Sequence, residues 1–266
     1  MGNKREIKLN TRFIRADGRH VDELRNITIE RGVNSYAEGS ALIKWGDTVV
    51  YCTATVENRV PSFIRGSGTG WVTAEYSMLP RATRERNQRD RNEMPSGRSI
   101  EIQRLIGRSM RGAVYMGSLG ERTIRIDCDV LQAAGGTRTA SITVAFICLV
   151  DALRIIADAD KLASIPLAAQ IAAVGVGVVG GHKLLDLSHE EDTSAEVDCN
   201  VVMTSTGEFV EIQSTGEKCS FSRNVLDHII KLADIGHKRL FKIQREALSL
   251  SPDETSLFDH FAAGEN

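Results

Sequence analysis

Hydrophobic positions recur along the chain with two periods. In TIRIDCDVL, Ile124, Ile126, Cys128 and Val130 alternate with Arg125, Asp127 and Asp129, the two-residue period of a half-buried strand. ITIERGV near Ile27 and SALIKWGDTVVYCTATVE from Ser40 read as consecutive strands, with Gly46-Asp47 as a hairpin turn. A further strand is expected from Trp71 to Tyr76, after a link carrying Gly66, Gly68 and Gly70. That GxGxG neither follows a clear strand nor opens a helix, so it does not read as a dinucleotide fingerprint. GRSIEIQRLIGRSMRGAVYM carries Ile102, Leu105, Ile106, Met110 and Val114 on one helical stripe. TASITVAFICLVDALRIIADA is too long for one strand and predicts a buried helix.

After a KLASIP connector the pattern returns to strands. AAQIAAVGVGVVGGHKLLDLS predicts two strands around Gly180-Gly181, and VDCNVVMTSTGEFVEIQ a second hairpin turning at Ser205 to Gly207. RNVLDHIIKLADIGHKRLFKIQREAL predicts an amphipathic helix with Leu226, Ile229, Ala233, Leu240 and Ile243 on one face. The order implies an α+β body of two layers (α/β in content), each half made of hairpin strands closed by a long helix. Identity between the halves is too low to assert a repeat.

Composition narrows the function classes. The 266 residues suffice for one large domain or two small ones, and 42% hydrophobic with 26% charged residues is ordinary for a soluble protein. Net charge is only -2, so a polyanion would have to be held by a local patch. Aromatics, at 5%, are too few for a surface that binds single strands mainly by stacking. Five widely spaced cysteines with no CxxC predict reduced, mostly buried thiols rather than a disulfide frame or a zinc site. MGNKREIKLN lacks the apolar core of a signal peptide, and no apolar run reaches membrane-spanning length without charge or glycine. A cytoplasmic protein with no membrane partner is expected.

Three constellations could carry chemistry. In LQAAGGTRTAS a double glycine joins the predicted strand to the predicted buried helix, with Gly136, Thr137 and Arg138 at the helix start. Free N–H groups, the helix dipole and a forked guanidinium suit an oxyanion or phosphate. A tight turn with a threonine N-cap and a solvated arginine fits equally well. In DLSHEEDTSAEVDCN the carboxylates Asp186, Glu190, Glu191, Asp192, Glu196 and Asp198 crowd a short span. Acidic loops are usually only solvated, but Asp198 edges an apolar strand, where a carboxylate needs a partner or a cation such as Mg²⁺. One such carboxyl could also serve as a general acid. The loop RATRERNQRDR holds Arg81, Arg84, Arg86, Arg89 and Arg91, with Arg98 just beyond and no lysine. Such runs are commonly solvated or in partner contacts; arginine is also the residue that reads phosphate in a fork.

The segments RADGR, YAEGSALIKWGDTVVYCTA, GWVTAEYSMLPRAT, IEIQRLIGRSMR, DCDVLQAAGGTRTASIT and LDLSHEEDTSAEVDCNVVMT together closely resemble the ribonuclease PH family, phosphate-dependent 3′-to-5′ exoribonucleases that trim tRNA 3′ ends. The resemblance spans about residues 15 to 213. It implies a fold related to the second domain of ribosomal protein S5. It further implies one domain over about 15–248 (N-terminal part to about 160, C-terminal part from about 161), with an extension at 1–14; beyond Ser249 the sequence is polar and turns acidic, which predicts a weakly ordered tail at 249–266. Carried over by position, it implies that Arg98, Gly136, Thr137 and Arg138 bind inorganic phosphate as co-substrate. It likewise implies that Asp192 and Asp198 hold Mg²⁺ and assist departure of the 3′ oxygen, and that Arg81, Arg86 and Arg89 contact tRNA. The implied partners are tRNA 3′ ends and other structured RNA, and the implied assembly is a homo-hexamer built as a trimer of dimers. The sequence departs from the family pattern at RNEMPSGR, where a glycine-rich stretch is usual.

Overall fold

The computed structural model describes residues 15–88, 96–251, 254–256 and 258. Among these, the first sheet holds β1 (Ile27–Arg31), β2 (Gly39–Trp45), β3 (Thr48–Glu57), β4 (Trp71–Met78) and β5 (Thr123–Gln132), in the spatial order β1-β2-β3-β5-β4. The second holds β6 (Ile171–Val179), β7 (His182–Leu185), β8 (Val197–Thr204) and β9 (Phe209–Gly216), in the order β7-β6-β8-β9. The helices are α1 (Gly97–Gly112), the short α2 (Met116–Leu119), α3 (Thr137–Asp160), α4 (His189–Ser194) and α5 (Arg223–Leu248). This is the mixed α/β architecture expected, and the hairpins turn at Gly46-Asp47, Gly180-Gly181 and Ser205 to Gly207 as the patterns predict.

The alternation in β5 does what its period requires. Ile124, Ile126, Cys128 and Val130 are buried, while Arg125, Asp127 and Asp129 are only half-buried. Periodicity cannot give pairing. β5 runs antiparallel to β3 but parallel to β4, with Trp71 opposite Thr123 and Met78 opposite Val130. The β4–α1–β5 crossover therefore places the ends of two neighbouring parallel strands, and the starts of the helices that follow them, at one edge of the sheet.

α3 is long and apolar enough in composition to cross a membrane, but its residues from Thr139 to Val150 are all buried. It packs on β2, β3 and β5 on one side and on β6 on the other, while α5 covers β6 and β7. The face of α5 differs from the apolar stripe expected. Ile229, Ala233 and Leu240 are buried, but Leu226 and Ile243 are only half-buried, and His237, Phe241 and Gln244 take core positions. The polar members are tolerated because they are bonded: Gln244 Nε2 donates to the Thr143 and Ile171 carbonyls at 3.0 and 2.9 Å. His237 contacts the Ala233 and Ala172 carbonyls at 2.8 and 3.2 Å.

Part of the segment expected to be a weakly ordered tail is packed. Glu254 pairs with Arg154 at 2.5 Å, and Phe258 is buried edge-on against Phe146, with ring centroids 6.3 Å apart. Cys52, Cys128, Cys148 and Cys199 are buried thiols, and Cys219 is exposed.

Candidate active site

The arginine loop and the double-glycine turn leave the sheet side by side because β4 and β5 are parallel neighbours. Leu79 N–H donates to the Val130 carbonyl at 2.9 Å, and Ala133 N–H to the Ala82 carbonyl at 2.8 Å. Gly135 and Gly136 both take positive φ, 93° and 68°, a conformation that L side chains adopt only with strain. Gly135 is also pressed on the acidic segment: a Cβ there would lie 2.8 Å from the Leu187 carbonyl oxygen. The glycine pair thus lets the turn bend and lets it touch the backbone that leads into α4.

A clamp holds this contact. Arg25 donates from Nη1 to the Ala134 carbonyl at 2.7 Å and from Nη2 to Asp186 Oδ1 at 2.6 Å. Asp186 is buried and also accepts from Trp45 Nε1 at 2.8 Å, so this member of the acidic set is structural. Glu191 is structural too. It closes a capping box with Ser188 at the start of α4 and pairs with the buried Arg15.

α3 begins at Gly136, which caps it without any side-chain bond. The threonine N-cap is therefore not the arrangement found. Thr137 lies one position inside the helix, where its hydroxyl accepts from Tyr76 Oη at 3.0 Å. Burial pushes the Tyr76 phenol up, against the Thr137 bond and the charges of Arg98 and Arg138, so both arginines bear on the same point. Arg98 is exposed in the first turn of α1, just after the Ser96 cap. Arg138 is three-quarters covered, and its Nη2 donates to Glu101 Oε2 at 2.9 Å. Its Nε is buried with no hydrogen-bond partner among the described residues. Glu101 also accepts from Gln213 Nε2 at 3.2 Å. Partial burial would raise the Glu101 carboxyl, but the bond and charge of Arg138 outweigh it and hold the group below the ordinary carboxylate range.

Asp198, in β8 opposite Gly177, lies within range of the Arg138 charge. Burial, followed by the charge of Asp192, pushes its carboxyl from 3.8 to about 6, and Arg138 pulls the other way. Asn200 Nδ2 donates to it at 3.3 Å, and among the described residues neither Asp192 nor Asp198 has a cationic partner within ion-pair distance. Asp192 is exposed on α4. A half-buried carboxylate beside a second one, without a paired cation, is a donor set that suits a divalent ion completed by phosphate oxygens. A carboxyl near 6 is also able to hand over a proton near neutral pH.

Arg81, Arg84 and Arg86 are exposed on the loop after β4; Arg89 lies outside the described residues. Arg84 reaches Glu190 of α4 at 3.6 Å, so this loop borders the carboxylate side as well. Arg98, Gly136, Thr137, Arg138, Asp192 and Asp198 thus come from four separate segments to one edge of the body. Tyr76, Glu101, Asn200 and Gln213, which join them there, carry no signal in the sequence: each reads as an ordinary strand or helix residue.

Comparison with known proteins bears on the family and the fold. Residues 23–154 match the model for domain 1 of the 3′ exoribonuclease family, RNase PH, and residues 169–236 match that for domain 2. Rrp46 of rice (Oryza sativa) has a similar structure at 18% identity and a TM-score of 0.72, covering 88% of this chain and 100% of its own. A subunit of the Archaeoglobus fulgidus exosome, solved with RNA bound to the active site, is similar at 24% identity and a TM-score of 0.70, covering 86% of this chain and 91% of its own. A chain of an archaeal exosome core follows at 22% identity and 0.68, with coverage of 87% and 91%. With both domain models matched in order over one continuous body, the chain is a member of the RNase PH family of 3′ exoribonucleases.

Proposed function

We propose that this protein is a phosphate-dependent 3′-to-5′ exoribonuclease that trims the 3′ ends of tRNA precursors, releases nucleoside diphosphates, and can add nucleotides in reverse. The observation that carries the proposal is the position of Arg138. It pairs with Glu101 at 2.9 Å beside Thr137, and its charge also acts on Asp198. One guanidinium is thus shared between an anion cradle and a carboxylate pair, as an attack by one phosphate on another requires.

In this mechanism Arg98, Arg138 and the start of α3 orient inorganic phosphate for in-line attack on the last phosphodiester. A new P–O bond forms to the attacking oxygen, and the bond to the 3′ oxygen of the preceding nucleotide breaks. The same positive groups face the charge on the equatorial oxygens. Asp192 and Asp198 would hold Mg²⁺, and the chemistry it supplies when bound is to lower the basicity of the leaving oxygen. One phosphate linkage replaces another, so the exchange is nearly balanced and reversible. The exposed Arg81 and Arg86 are suited to a tRNA backbone. A homo-hexameric ring is the assembly proposed.

A second reading has a specific support: the similar solved structures include exosome subunits. In it the chain is a ring subunit that binds RNA without turning it over. A product assay separates the two. The protein is incubated with a 3′-extended tRNA and Mg²⁺, with and without inorganic phosphate. Nucleoside diphosphates that appear only with phosphate support phosphorolysis. Monophosphates refute it in favour of hydrolysis, and RNA that is bound but uncut favours the ring subunit.

A further inference from the structure

We infer that Glu101 is a positioning residue that aims Arg138 at the attacking anion. The inference rests on the phosphorolytic reading and adds a residue and a role to it. Three elements meet at this carboxylate. Glu101 stands on the second turn of α1, Arg138 opens α3, and Gln213 lies on β9. One oxygen, Oε2, takes the Arg138 Nη2 at 2.9 Å, and the other, Oε1, takes the Gln213 amide at 3.2 Å. Gln213 is itself tied to Glu211 at 3.1 Å, which is held in a fork by Arg108 at 2.6 and 2.9 Å. The chain of contacts is continuous from Arg108, further along α1, to the guanidinium.

The consequence lies in what Glu101 leaves over. It engages one terminal nitrogen of Arg138, while the buried Nε has no acceptor among the described residues. A buried donor without a partner is unfavourable, and a phosphate oxygen is the acceptor that the proposed reaction supplies. An arginine at a helix start has many rotamers, and without Glu101 its fork would face the anion only part of the time. Glu101 also places a negative charge next to the anion site. It therefore trades some ground-state affinity for phosphate against orientation in the transition state.

That trade is testable by a split between kcat and KM. Glu101→Gln retains the size of a side chain that is 40% exposed, so the variant should fold. At saturating phosphate kcat is expected to fall about tenfold, in line with modest misorientation of a reacting group. KM for inorganic phosphate should fall. Gln213→Ala should move kcat in the same direction by less. An unchanged kcat, or a rise in KM that accounts for the whole loss, would overturn the inference. Calorimetric titration with inorganic phosphate gives a readout that needs no turnover. The tighter phosphate binding of Glu101→Gln must disappear when Arg138→Ala is the background, because Glu101 acts through Arg138. An effect that persists in that background, or no effect on binding in an inactive wild type, also overturns it. Failure of the wild type to release diphosphates would instead count against phosphorolysis alone.

Discussion

Replacing Asp198 by asparagine should make the folded protein more stable while removing its activity. In the folded chain burial and the neighbouring Asp192 raise the carboxyl from 3.8 to about 6. At about 1.4 kcal/mol per pH unit, the ionised group costs the fold at most about 3 kcal/mol, and ~2 kcal/mol once solvent at its open edge is allowed for. Because the folded value lies above the unfolded one, the unfolded chain gives up this proton first. Stability therefore falls as pH rises from about 3.8 to about 6 and stays low above that. The amide of Asp198→Asn carries no such charge and keeps the shape, so the variant should gain ~2 kcal/mol at about pH 7.5 and almost nothing near about pH 4. Urea unfolding at both pH values and fixed protomer concentration measures the difference. Turnover should drop by about 100-fold or more, as for loss of a general acid or a metal-holding carboxylate. A variant destabilised at the higher pH, or a gain of equal size at both pH values, would refute the argument. Asp198 would then be a satisfied structural group.

Three further outcomes follow from other parts of the structure. Burial, against bonds to the Ala233, Ala172 and Val201 backbone, pushes His237 down from 6.5 to about 4. The unfolded chain then binds the proton first, so stability is full above pH 6.5 and is lost by about 3 kcal/mol between about 6.5 and 4, which a pH series of unfolding curves should reveal and His237→Gln should flatten. Gly135→Ala puts a Cβ 2.8 Å from the Leu187 carbonyl at φ 93°. It should cost about 1–3 kcal/mol and separate the cradle from α4, with a larger loss of kcat than of melting temperature; unchanged kinetics would dissociate the turn from the site. Arg86→Ala should weaken tRNA binding several-fold and reduce its salt dependence, while short oligonucleotides are trimmed as before; equal loss on both would place Arg86 at the reacting phosphate.

Much of the local structure was legible because it is set by neighbours a few residues apart. The alternation in TIRIDCDVL gives a strand with Ile126 and Cys128 inward, and the double glycines give hairpin and strand-to-helix turns. The stripe of α1 likewise follows from its 3.6-residue period. The resemblance of GGTRT, of PSGR and of the EEDTSAEVDCN run also pointed to candidate residues that the fold then brought to one edge. Other features were not legible because they depend on residues far apart in sequence. The core places of His237 and Gln244 on α5 depend on carbonyls from β6 and α3 that stand ready to bond them.

By itself, then, the sequence determined the kinds of element, the positions of the turns, and the residue types able to handle an anion and a cation. The tertiary structure decided that β4 and β5 run parallel, which puts two loop-to-helix junctions at one edge, and that Glu101 and Gln213 meet Arg138. It also separated Asp186 and Glu191, which hold arginines of the N-terminal segment, from Asp198, which has no such cation among the described residues. The physical reason is one of range. Burial period and turn chemistry act over a few residues, whereas the charge a carboxylate feels depends on groups far away along the chain that only packing brings within a few ångströms.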